Sequence, residues 1–98
     1  MIQVLVHHEV NDYRSWRSVF DAAIDFRHLG GERSCRVFRK SADPNNLTLL
    51  FEWEGLEQAQ HYMNSQELRD KMKEAGVIGT PEIEFLSEMY TVRRSAAD

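Results

Sequence analysis

The sequence holds one cysteine, two prolines and five glycines, shows no excess of positive charge, and nowhere strings together more than three apolar side chains. Each shortage excludes something. A lone Cys35 cannot form an intrachain disulfide, so the chain is not a disulfide-built secreted scaffold, and the thiol reads as a small hydrophobe of a strand. Asp and Glu outnumber Lys and Arg by 16 to 12, and a net charge of −4 lacks the positive excess that draws phosphates. No nucleic-acid partner is expected. Apolar runs such as Val4 to Val6 fall far short of the roughly 20 residues that cross a bilayer, and the amino terminus shows no signal-peptide pattern. No membrane partner is therefore expected, and a cytoplasmic location is the default. Glycine-rich phosphate loops, a nucleophile elbow and paired-cysteine zinc frameworks are missing too.

What is present is an ordinary globular composition, 42% hydrophobic and 29% charged, over 98 residues, which makes one domain spanning 1–98. A domain of this size hides only roughly 60 to 68% of the surface its unfolded chain exposes. Ile2 to Glu9 mixes β-branched and apolar residues and reads as a first strand, ending at Asn11-Asp12, where a side-chain oxygen can cap a helix. From Tyr13, the residues Trp16, Val19, Phe20, Ala23, Ile24 and Phe26 recur at helical spacing up to Gly30-Gly31, predicting one helix of about four turns. Ser34 to Lys40 reads as a second strand, Ala42 to Asn46 as a turn, and Leu47 to Glu54 as a third strand. After Gly55, a short helix carries Leu56, Ala59, Tyr62 and Met63; Asn64 with Glu67 suggests a capping box for a further segment bearing Leu68, Met72 and Ala75 and closing at Gly76. Gly79-Thr80-Pro81 then reads as a break before a fourth strand from Glu82 to Val92, with Ser95 to Asp98 a fraying end.

This order is βαββαβ, the split βαβ arrangement: an α+β, ferredoxin-like domain with both helices on one face of a four-stranded antiparallel sheet. Alternation puts Val4, Val6 and His8 on the helix-facing side with Leu49, Phe51, Trp53, Ile83 and Phe85. The opposite side then holds Leu5, Leu50, Leu86 and Tyr90 among His7, Glu52, Glu84 and Glu88, an apolar load that a homodimer burying sheet against sheet would cover. An RNA-recognition domain shares the order, but it needs exposed aromatics in basic surroundings, and this face is acidic.

Val6-x-His8 with Asp12-Tyr13-x-x-Trp16, then Phe51-Glu52-Trp53-Glu54, Asn64-Ser65-x-x-Leu68 and Ala75-Gly76-Val77-x-Gly79-x-Pro81, together resemble the small dimeric α+β barrel proteins that include the antibiotic biosynthesis monooxygenases. Nearly the whole chain takes part. The resemblance implies a dimeric barrel and a choice among cofactor-free oxidation of aromatic polyketides, haem degradation, isomerisation and simple ligand binding. For the haem-degrading branch, Tyr62 stands in place of the expected tryptophan, Met72 in place of the haem-ligating histidine, and His7-His8 in place of a strand-one asparagine. Haem by that route is not expected, and no cofactor is.

His8 is the titratable residue of most interest, because a histidine on an apolar strand face can hold or move a proton near neutral pH. Two readings stand side by side, a core histidine satisfied by a neighbouring carbonyl or hydroxyl and a catalytic or ligand-binding one. His7 points the other way, toward acidic neighbours, so the two histidines cannot chelate one metal; His7 and Glu9 share a face but lack a third ligand, and no metal site is expected. Trp16, Phe20, Phe51, Trp53, Tyr62, Met72 and Phe85 either line a cleft for a flat apolar ligand or fill the core. His61 is placed at the mouth of that cleft or in a solvated pair with Glu57. Two functions remain open: a cofactor-independent oxygenase acting on an aromatic small molecule, with His8 as base or hydrogen-bond donor, and a non-catalytic dimeric protein that binds such a molecule.

Overall fold

The computed structural model describes residues 1–94 and places eight elements along the chain. They are β1 (Ile2–Val10), α1 (Tyr13–Ala22), α2 (Ile24–Gly30), β2 (Glu32–Lys40), β3 (Asp43–Trp53), α3 (Leu56–Met63), α4 (Gln66–Glu74) and β4 (Val77–Leu86). The four strands form one antiparallel sheet in the order β2-β3-β1-β4. This is the expected α+β, ferredoxin-like arrangement; the second helix is divided in two near Asn64, as expected, and the first, expected to be single, is divided as well.

The break in the first helix falls at Ala23 and has a cause in the hydrogen bonding. The Phe20 carbonyl accepts from Ala23 N–H at 3.3 Å and from Arg27 Nη1, so the guanidinium sits where Ile24 N–H would bond in a continuous helix. α1 starts as its sequence suggests, with Asp12 accepting from Ser15 N–H at 2.9 Å, and α2 ends on Gly31 at φ +114. The cap of α4 is Ser65, which accepts from Leu68 N–H, rather than Asn64.

Two strands differ from expectation. β3 begins at Asp43, because Lys40 pairs with Asp43 and the turn shrinks to Ser41-Ala42, with an irregularity where pairing jumps from Arg39–Leu47. β4 begins at Val77 and ends at Leu86, so the fourth strand is not Glu82 to Val92, and Glu88 and Tyr90 lie beyond the sheet. Gly79-Thr80-Pro81 does not break the chain; it bulges out of the ladder opposite His8, between the pairs His7–Glu82 and Glu9–Ile78. An edge strand tolerates both the bulge and the proline, which has no N–H to contribute. The expected fraying end, Ser95 to Asp98, lies outside the described residues.

The core sits between the sheet and the helices. Val4, Val6, Val10, Leu47, Leu49, Phe51 and Trp53 project from the inner face and pack against Trp16, Ala59, Tyr62, Met63 and Ala75. Trp53 is fully buried and anchors the α2–β2 turn by donating from Nε1 to the Gly30 carbonyl at 2.8 Å. The outer face carries Leu5, His7, Leu50, Glu52, Glu84 and Leu86 and is covered by no helix among the described residues.

Candidate functional site

His8 owes its position to alternation on β1, the central strand that pairs with both β3 and β4. Its side chain is 5% exposed, points toward the helices, and leaves both ring nitrogens without a hydrogen-bond partner. Burial, reinforced by the neighbouring His7, lowers its pKa from 6.5 to about 4, so the imidazole is neutral at pH 7. A neutral imidazole offers one donor and one acceptor, and leaving such groups unpaired in the interior costs about 1–3 kcal/mol each. No carbonyl or hydroxyl among the described residues satisfies it.

His8 borders a cavity bounded by β1 and β3 below and the four helices above. His8, Trp16, Phe20, Phe51, Tyr62 and Met72 all line it. The cavity measures about 60 Å³ and opens to solvent. Its wall is a stack built by helical spacing: Trp16 lies on Phe20 at 4.7 Å between ring centroids and 18° between planes, and His8 meets the edge of Trp16 at 5.9 Å. Burial holds the Tyr62 hydroxyl protonated.

Two expected residues stand elsewhere. Trp53 is buried outside the wall, held by Gly30 and contacting Phe51 and Tyr62 edge-on or tilted. Phe85, on the outermost strand, is partly exposed and does not reach the cavity. His61 is exposed, forms no ion pair with Glu57, and does not line the mouth. His7 projects from the outer face, where its Nδ1 hydrogen-bonds the Thr48 hydroxyl at 3.0 Å. Among the described residues no group of three His, Cys, Asp or Glu side chains could hold a metal. Cys35 is half-buried with its pKa pushed up to about 12, first by desolvation and then by Glu32, so it is no nucleophile at neutral pH.

Arg27 is a charged lining residue that the sequence analysis does not single out. It is 5% exposed; Nε donates to Glu32 at 2.7 Å, Nη1 donates to the Phe20 carbonyl, and Cζ lies 3.7 Å above the Phe20 ring. The signal was present, since Phe20, Ala23 and Arg27 continue one helical stripe and put a cation where an apolar residue is due.

A sheet of order β2-β3-β1-β4 covered on one face by helices, with an apolar cavity beside a neutral histidine, defines an α+β protein of the ferredoxin-like class. More narrowly, the chain shares its ferredoxin-like α+β fold with solved structures described as antibiotic biosynthesis monooxygenases and with a cofactor-independent oxygenase. A Bordetella bronchiseptica protein provisionally described as an antibiotic biosynthesis monooxygenase superposes with a TM-score of 0.75 at 16% identity, over 91% of this chain and 97% of that one. A conserved protein from Methanosarcina mazei Go1 superposes with a TM-score of 0.69 at 16% identity, over 90% and 92%. SnoaB, a cofactor-independent oxygenase from Streptomyces nogalater, gives 0.67 at 14% identity, over 99% and 97%. No family model matches the sequence, and no curated protein does. At these identities the likeness is one of fold. No helix among the described residues is long and apolar enough to cross a membrane.

Proposed function

We propose that the chain binds a flat apolar small molecule between sheet and helices and oxidises it with molecular oxygen, without a cofactor. The observation that carries this reading is His8, a neutral imidazole with two buried, unpartnered nitrogens on a residue that lines an apolar cavity. In such a site His8 accepts a proton from an activated C–H of the substrate, and the electron pair stays on the ring system as an enolate. Oxygen adds to that carbon. Loss of the second proton and cleavage of the O–O bond then give a carbonyl and water, so that one ring methylene and one dioxygen become one ring carbonyl and one water. An imidazole with a pKa of about 4 is a weak base in the empty site; the negative charge forming beside it in a dry cavity raises its proton affinity. SnoaB, with the same fold, is a cofactor-independent oxygenase, and this supports the choice of chemistry. The working unit in this reading is a homodimer that buries the outer sheet faces.

The low proton affinity of His8 favours a second reading, in which the cavity only binds its ligand. Oxygen uptake against a panel of anthrone- and quinol-like compounds separates the two. The oxygenase reading expects uptake by the wild type and a fall of roughly 10²- to 10⁴-fold in His8→Ala, the usual worth of a positioned acid or base. Equal rates in both proteins would remove His8 from the mechanism, and binding without uptake would leave the second reading.

A further inference from the structure

The cavity is smaller than the ligand proposed for it. At about 60 Å³ it falls well short of the roughly 150 Å³ of an apolar cavity that holds a single benzene ring, so a flat ring system enters only where the wall yields. Most of the wall is firmly held. β1 and β3 are each hydrogen-bonded to a strand on both sides. α1 is fastened by the buried Trp16, and α3 by the buried Ala59, Tyr62 and Met63. α2 is tied to β2 by the buried pair of Arg27 and Glu32 at 2.7 Å.

α4 is the exception. None of its nine residues is fully buried, and its only apolar side chains are Leu68 and Met72, both of which line the cavity. Gln66 donates to Asp70 at 3.0 Å, Arg69 donates to Gln66 at 3.4 Å, and Lys71 lies 3.9 Å from Glu74. Every polar side-chain contact of this helix among the described residues is thus made within it, and none reaches another element. Its carboxyl-terminal end is pinned, because Ala75 is buried and the Gly76 carbonyl accepts from Asn11 N–H at 2.9 Å. Its other end is joined to α3 through the exposed Asn64 and the half-buried Ser65. We propose that α4 is a lid, which lifts at its Asn64–Ser65 end, pivots on Ala75–Gly76 and withdraws Met72 from the cavity to admit a flat ring. The inference rests on the reading that the cavity takes such a ligand. It adds which wall moves, and that the adaptable thioether side chain of Met72 is the plug that limits what enters.

A helix of nine residues that has lost its packing is marginal in water, so a lifted α4 gives up its backbone hydrogen bonds and exchanges its amide protons. Hydrogen exchange read by mass spectrometry at pH 7, with and without saturating 2-naphthol, tests this. The open form of such a lid is a minor state of about 0.1–10%, and a bound ring makes it the major one, so exchange in α4 is expected to quicken roughly 10- to 1,000-fold. Exchange in α1 and α3 is expected to stay the same or slow. Bound ligands ordinarily slow exchange, and a wall that is merely structural would follow that rule. Met72→Ala weakens the hold on the lid and raises its open fraction, so calorimetry is expected to show 2-naphthol binding roughly 10-fold more tightly than to the wild type. If Met72→Ala does not fold, the wild-type exchange decides alone. Slower exchange in α4 on binding, or an unchanged affinity in a folded Met72→Ala, would overturn the inference and leave the cavity reading standing. Failure of 2-naphthol to bind the wild type would remove the cavity reading and this inference with it.

Discussion

His8 is the residue where burial and chemistry pull against each other. Its pKa drops from 6.5 to about 4 on folding, so between those values the unfolded chain binds the proton and the folded chain does not. Stability therefore rises with pH through that window; the contribution is intact above about 6.5 and is lost as pH falls toward 4. With each pKa unit worth about 1.4 kcal/mol, the full swing is about 3 kcal/mol. Urea denaturation at pH 7 and pH 4.5 should show the wild type losing about 2–3 kcal/mol more than His8→Leu, whose surface carboxylates titrate in the same way. Parallel losses in the two proteins would mean that His8 charges in place, without cost. That His8 faces the helices was legible from alternation alone, because the period of two leaves no other choice once Val4 and Val6 are inside. Its want of a partner was not legible, since that depends on which carbonyls the tertiary structure brings near. Arg27 escaped for the opposite reason. A charge in a helical stripe reads as surface, and only Glu32, held close by the α2–β2 turn, makes it an interior residue.

At the scale of elements, the order of strands and helices was readable because periodicity and glycine punctuation are local, whereas the breaks and bulges answer to contacts made far away. The α1–α2 break comes from a side-chain donor four residues downstream of it, a cause that no propensity contains. β4 was misplaced because Gly79 and Pro81 are breakers by type; an edge position and a bulge opposite His8 absorb both. Two glycines test how tightly these joints are made. Gly31 has φ +114, and a Cβ there would lie 2.7 Å from Trp53 Nε1, the atom whose bond to Gly30 closes the α2–β2 turn. Gly79 has φ +71, with nothing within 4 Å of an added Cβ. Backbone strain at a positive φ costs about 1–3 kcal/mol, and Gly31→Ala adds a collision to it. Thermal melts should rank Gly31→Ala well below Gly79→Ala, the latter losing about 1 kcal/mol. Equal losses would show that the indole moves aside freely.

Taken whole, the molecule has a covered sheet face and an uncovered one, and the uncovered one is not built for water. Leu5 and Leu50 are direct cross-strand partners on β1 and β3 at the centre of that face, with Phe38, Ile78 and Leu86 exposed around them on β2 and β4. Beyond Leu86 the described chain leaves the sheet, with Met89, Tyr90 and Val92 exposed. The hydrogen-bonded pair of His7 and Thr48 and the acids Glu52, Glu82 and Glu84 surround the leucines, a pattern of apolar centre and polar surround that suits an interface repeating itself across a two-fold axis. The proposed homodimer follows from this geometry, and it would also offset the limited burial open to a lone chain of 98 residues. Light scattering at micromolar concentration should then report twice the chain mass. Leu50→Glu places an unpaired carboxylate at the centre of the contact, where desolvation costs several kcal/mol, so dimer affinity should fall by at least about 100-fold while far-UV circular dichroism holds. The same substitution leaves the His8 cavity, on the other side of the sheet, untouched. If a monomer forms and still binds 2-naphthol as the dimer does, association serves stability alone; if binding falls with the mass, the sheet needs its second copy to hold the cavity's floor in place. A wild type that is monomeric from the outset would dismiss the interface and require another account of why Leu5 and Leu50 face outward together.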